Sequence, residues 1–110
     1  MKNRLLRDLI RGYVKLHILH HANLSPIFGQ EFRNELRRHG YEMSFGTLYP
    51  MFHSLVKQGY LKVDVKNVDG KIRKYYAITR EGEELLKEGK AKAKELTDEL
   101  FETLKMESQV

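Results

Sequence analysis

Residues 44–59 run S-F-G-T-L-Y-P-M-F-H-S-L-V-K-Q-G, and their spacing predicts a short helix with two unlike faces. Ser44 stands at its start, where a serine hydroxyl can accept a backbone N–H that the first turn leaves unpaired. Leu48, Phe52, Leu55 and Val56 recur at helical intervals and form an inward face. Gly59 falls where a helix commonly ends on a left-handed residue. The opposite face carries Thr47, Tyr49, Pro50, His53, Ser54 and Lys57. A proline inside a helix clashes with the carbonyl four residues earlier. Here that residue is Gly46, whose missing β-carbon lets the backbone adjust. The pair predicts a slightly distorted first turn presenting Thr47, Tyr49 and His53 on a stiff platform. A short helix with a polar, hydroxyl-rich and mildly basic outer face suits a DNA major groove.

Working outward, Ser25-Pro26 reads as an N-cap and first position of a preceding helix that runs to about Arg38. Phe28, Phe32 and Leu36 point inward, while Gln30, Glu31, Arg33, Asn34 and Arg37 point outward. Gly40 ends that helix. On the far side, Leu61 to Val65 alternates apolar and polar residues, a half-buried strand. Val68-Asp69-Gly70 gives a hairpin turn, and Ile72 to Ile78 returns as a second strand rich in β-branched and aromatic residues. Two helices joined by a short turn and followed by a hairpin make a winged helix-turn-helix. Of Tyr75 and Tyr76, which face opposite ways, one is expected in the core and the other near the base of the wing.

At this point the chain resembles the PadR family of transcriptional regulators. The resemblance rests on G-T-L-Y-P at 46–50, L-V-K-Q-G-Y-L at 55–61 and R-K-Y-Y-A-I-T-R-E-G at 73–82, and it covers about Leu5 to Leu104. It implies a winged helix-turn-helix DNA-binding domain, a C-terminal dimerisation helix, and a repressor that is often released by a small ligand. One departure is visible: the family commonly has Gly-Tyr at the start of the second helix, whereas Gly29 is followed here by Gln30.

The ends of the chain carry two longer helices. Leu5, Leu6, Leu9, Ile10, Tyr13, Val14, His17 and Ile18 fall at helical intervals from about Asn3 to His20, with Ala22 to Leu24 as a connector. With Leu16 and Leu19 added, more than one stripe is apolar, so this helix is expected to pack on its own domain and on a partner chain. Thr79 caps the last helix, and Glu81, Glu83 and Glu84 lie where the helix dipole favours negative charge. Gly82, Leu86, Gly89, Ala93, Leu96, Leu100 and Thr103 or Leu104 then recur by fours and threes, a heptad seam for a second subunit. The expected dimer surface is Leu5, Leu9, Tyr13, Leu86, Gly89, Ala93, Leu96, Leu100 and Leu104. An apolar effector could lie among Leu5, Leu9, Tyr13, His17, Ala93, Leu96 and Leu100, although plain dimer core is the favoured reading of all of them. The expected division is a winged domain over 1–78 and a dimerisation helix over 79–110, mainly α with a small β-hairpin.

Charge divides unevenly. Residues 1–43 hold eight Lys/Arg against four Asp/Glu, residues 44–78 six against two, and residues 79–110 six against nine. The first two-thirds therefore suits a polyanion, and the last third does not. Tyr49, Lys57, Lys66, Lys71, Arg73 and Lys74 are expected on phosphates, with Arg33 and Arg37 as further backbone anchors. Thr47, Pro50 and His53 are expected to reach bases. The partners that follow are double-stranded operator DNA and a second copy of the chain, with a small apolar effector as an open addition.

The remaining classes find little support. The chain has no cysteine, hence no disulfide framework, thiol nucleophile or cysteine-based zinc site. His17 and His21 stand at zinc-ligand spacing, but no glutamate or acidic cluster completes a site, so no metal or cofactor is expected. No phosphate loop, activated serine or paired carboxylates mark an enzyme. No run approaches the roughly eighteen apolar residues that would span a bilayer, and the basic start leads into an amphipathic helix rather than a secretory signal. A cytoplasmic location without membrane partners is expected. The competing function is a winged-helix protein-interaction module without specific DNA binding.

Overall fold

The computed structural model describes residues 3–102. The order is α1 (Arg4–Leu24), α2 (Gly29–Arg38), α3 (Phe45–Lys57), β1 (Leu61–Val68), β2 (Lys71–Ile78) and α4 (Arg80–Leu100). This is a winged helix-turn-helix with a long C-terminal helix, as the residue pattern predicts. Leu104 lies outside the described residues. No helix among them is long and apolar enough to cross a membrane.

The core forms where the inward faces meet. Val14 and Ile18 of α1, Phe32 and Leu36 of α2, and Leu48, Phe52 and Leu55 of α3 are all buried, together with Leu61, Tyr76 and Leu86. Three aromatic rings tie the layers together. Phe32 meets Phe52 edge-on at 5.8 Å, and Phe52 stacks on Tyr76 at 4.5 Å. Tyr76 is therefore the core member of the tyrosine pair, and burial raises the pKa of its phenol. Each aromatic pair of this kind adds about 0.5–1.5 kcal/mol beyond its buried area.

Helix boundaries differ from expectation around Ser25 and Pro26. The residue before a proline is driven out of helical geometry, so Ser25 is extended (φ −169°, ψ 159°) and closes α1 instead of opening α2. Helix α1 runs on through Ala22, which is buried, to Leu24. Ile27 stays extended because it pairs with β2. Its N–H donates to the Tyr76 carbonyl at 2.9 Å, and the Tyr76 N–H donates to the Ile27 carbonyl at 2.7 Å. Only then does α2 begin at Gly29, with Phe28 as an N-cap that has no side-chain bond.

The hairpin follows its sequence signal closely. Asp69 and Gly70 both have positive φ (53° and 82°), as the mirror-image turn of a two-residue hairpin requires. Pairing runs from Leu61 opposite Ile78 to Val68 opposite Lys71. Burial does not follow the alternation, however. Leu61 is buried, but Val63 and Val65 on the same face are exposed, as is Ile72 at 67%. The two-stranded ribbon projects past the core, and nothing among the described residues covers its outer half.

Helix α4 is anchored where α3 ends. Gly59 takes φ +85°, its N–H donating to the Val56 carbonyl at 3.0 Å. The Thr79 hydroxyl donates to the Gly59 carbonyl at 2.6 Å and accepts from the Gly82 N–H at 3.0 Å. The first half of the expected seam is thereby occupied within the chain. Gly82 lies against the Tyr60 carbonyl, Leu86 is 4% exposed, and Leu16 sits where a β-carbon on Gly89 would go. Ala93, Leu96 and Leu100 are exposed.

Candidate nucleic-acid interface

Helix α3 presents the outer face that its periodicity predicts. Tyr49, Pro50, His53 and Lys57 are exposed and Thr47 is half-buried, while Met51 joins Leu48, Phe52 and Leu55 underneath. Ser44 is the N-cap residue, but its hydroxyl does not cap a backbone N–H. It lies 3.3 Å from the Thr47 hydroxyl, so the two side chains satisfy each other across the first turn. Pro50 sits inside the helix and supplies no donor to the Gly46 carbonyl.

The face is divided by two clefts. On one flank an open cleft of about 620 Å³ separates α3 from the wing, lined by Phe28, Phe45, Tyr49 and His53 and by the cations Lys71, Arg73 and Lys74. Its aromatic floor holds one of these cations, Arg73, in place. The Arg73 guanidinium lies over the Phe28 ring at 4.6 Å, and Phe28 meets Tyr75 edge-on at 5.4 Å. Lys66 reaches over Tyr75 from the adjoining strand at 5.3 Å, and its ammonium is also 4.0 Å from Asp64. Opposite, Arg33 lies over Phe45 at 4.9 Å, and Phe45 stacks on Tyr49 at 5.3 Å. Cation–π contacts of this sort contribute about 0.5–2 kcal/mol each. The Arg33 Nε is buried without a hydrogen-bond partner.

On the other flank, a cleft of about 250 Å³ lies between α3 and α1, lined by Thr47, Pro50, Ser54, Arg11 and Lys15. The residues predicted for DNA are thus brought together in part. Tyr49, His53, Lys71, Arg73 and Lys74 share one cleft, and Thr47 and Pro50 share the other, while Lys57 and Lys66 line neither. Sequence reasoning missed Phe45, whose ring is the platform for Arg33, and it missed Arg11 and Lys15. Helical spacing puts those two cations on one face of α1, but only the tertiary fold puts that face beside α3. Gly29 packs closely here: a β-carbon would stand 3.3 Å from the Tyr49 hydroxyl oxygen. Gln30, the departure from the family pattern, bonds Asn34 at 3.0 Å.

Away from α3, four histidines gather at the C-terminal ends of α1 and α2. The His17 ring is 6.1 Å from His21 and 5.1 Å from His39. Glu35 faces His39 at 3.3 Å and His21 at 3.9 Å. Burial lowers the pKa of His17, reinforced by His39, His21 and His20 and opposed by Glu35. Burial also lowers that of His21, against the pull of Glu35. Among the described residues no group of three or more such side chains is arranged to hold a metal ion. A small apolar groove between α1 and α4 is lined by Tyr13, Leu16, His17, His20, Leu86 and Lys90. Of the residues expected around an effector, only Tyr13 and His17 belong to it.

Comparison with known proteins agrees with this architecture. Residues 18–88 match the model of the transcriptional regulator PadR-like family. A transcriptional regulator of Mycobacterium tuberculosis is 41% identical over 96 residues, covering 87% of this chain and 90% of that protein. A PadR family transcriptional regulator from Eggerthella lenta superposes with a TM-score of 0.78 at 32% identity, covering 91% of this chain and 88% of that one. A PadR-like transcriptional regulator from Bacillus cereus gives 0.80 at 27%, covering 88% and 96%. With the helix-turn-helix, wing and long last helix all in place, the chain belongs to the PadR-like family of transcriptional regulators.

Proposed function

We propose that the protein is a sequence-specific DNA-binding repressor that acts as a cytoplasmic homodimer. The observation that carries this reading is the exposed face of α3 beside a cleft lined by Lys71, Arg73 and Lys74, with the Arg73 guanidinium over the Phe28 ring. Helix α3 enters a major groove, where Thr47 and Pro50 meet thymine methyls and His53 meets base edges. Tyr49, Lys57, Lys66, Lys71, Arg73 and Lys74 hold phosphates, and the wing lies against flanking backbone. Two copies pair through the exposed apolar residues of α1 and of the second half of α4. Their α3 helices then meet half-sites about 34–36 Å apart, one helical turn. Binding occludes a promoter, the protein's own included. The apolar groove between α1 and α4 supports release by a small apolar effector, since a ligand there would change the spacing of the two α3 helices.

The experiment is fluorescence anisotropy on the protein's own upstream duplex and on a scrambled one across a salt series. Tight binding to the upstream duplex alone, falling steeply with salt, is the expected result. Equal and weak binding to both would overturn the proposal in favour of a protein-interaction module built on the same fold. The basic wing stands against that alternative.

A further inference from the structure

The wing is not the only basic wall beside α3. Arg11 and Lys15 stand one turn apart on α1, a spacing that aligns them on one face. Both are exposed and line the cleft on the side of α3 away from the wing, together with Thr47, Pro50 and Ser54. Among the described residues neither makes an ion pair or a hydrogen bond. The contrast with α2 is informative, because its last-turn arginines are neutralised: Arg37 pairs with Glu42 at 3.0 Å and Arg38 with Glu35 at 3.1 Å. Arg11 and Lys15 thus stand at the α3 cleft without counter-ions, whereas the two arginines that end α2 carry theirs.

A major groove is about 12 Å wide and has a phosphate backbone on each side. A helix lying in it needs a partner for both strands if it is to be held centrally. The wing cleft offers Lys71, Arg73 and Lys74 to one strand. We propose that Arg11 and Lys15 form a second phosphate-binding site, on α1, that holds the other strand. The hydroxyls of Thr47 and Ser54 line the same cleft and complete a donor set for phosphodiester oxygens. This proposal rests on the DNA-binding reading above and adds a grip on the opposite side of the groove. Phosphate contacts position without reading sequence, so the site strengthens binding to all duplexes alike.

The test uses a duplex recovered from a random pool by the wild-type protein, with affinity measured across a salt series and phosphate contacts mapped by ethylation interference. Arg11→Gln with Lys15→Gln should leave thermal unfolding unchanged, since neither side chain is packed or paired. The salt slope should become shallower by about 2 per subunit, so that the loss of affinity between 50 and 200 mM salt shrinks roughly tenfold per subunit. Within each half-site, ethylation-sensitive phosphates should disappear from one strand, and Arg73→Gln with Lys74→Gln should remove those on the other. An unchanged slope and interference pattern for the α1 variant, alongside a changed one for the wing variant, would overturn this proposal while leaving the DNA-binding reading intact. A wild-type protein that recovers no duplex would remove both.

Discussion

A β-carbon at position 82 would overlap the Tyr60 carbonyl, and the Ile78 side chain crowds it from the other side. Gly82→Ala gains helix propensity but must push α4 away from the end of α3. Overpacking of this kind costs about 1–3 kcal/mol. A fall in Tm of roughly 4–8 °C per kcal/mol should register it in a thermal melt. The histidines give a second prediction at this scale. His17 and His21 have folded pKa values below their ordinary 6.5, so the unfolded chain takes up protons first as pH falls. Their contribution to stability is present above about pH 6.5 and is lost as pH drops through the folded values. His20, His39, Glu35 and Glu31 face the same cluster, and the carboxylates soften the effect without reversing its sign. Urea midpoints should fall between about pH 7.5 and about pH 5.5, and His17→Gln with His21→Gln should flatten that dependence.

Among the elements, α4 depends on one hydroxyl. Thr79 bonds both the end of α3 and the start of its own helix, so Thr79→Ala removes a cap and a tie at once. A loss of about 1–2 kcal/mol is expected, measurable by urea titration, with Thr79→Ser recovering most of it. This cap was legible in the sequence because capping is local chemistry, and so were the Asp69-Gly70 turn and the two faces of α3. What failed was decided elsewhere in the fold. Ser25-Pro26 has the composition of a helix start, but the pairing of Ile27 with Tyr76 delays α2 by several residues. Val63 and Val65 alternate like half-buried strand residues, but burial needs a covering layer, and the described residues supply none over the outer wing. The interface divided in the same way. Its polar helix face and basic wing could be read from spacing and charge, whereas Phe45 beneath Arg33 and the α1 cations beside Thr47 depend on how helices pack.

The whole molecule is elongated, 63 × 33 × 23 Å, and exposes large apolar side chains near the start of α1 and the end of α4 as well as on the wing. Leu5 is 78% exposed and Leu9 61% on α1, and Leu100 is 64% exposed on α4. Large apolar side chains left exposed along two helices suit a subunit interface. Sedimentation at micromolar concentration should therefore show two chains, and Leu9→Glu with Leu96→Glu should show one, with helical content retained. Dissociation converts paired half-site binding into single binding, so operator affinity should fall by about 10²-fold or more. A wild-type monomer would remove the paired geometry altogether.

Pro50 has a consequence for evolution. A proline inside a helix is expensive, about 3 kcal/mol, and this one lies on the exposed face of α3 that is proposed to meet DNA. Pro50→Ala should therefore melt at a higher temperature than the natural chain, while distinguishing operator from scrambled duplex less well. Selection for robustness alone would have removed the residue, so under the proposed reading, with Pro50 against thymine methyls, it is a place where durability is given up for discrimination.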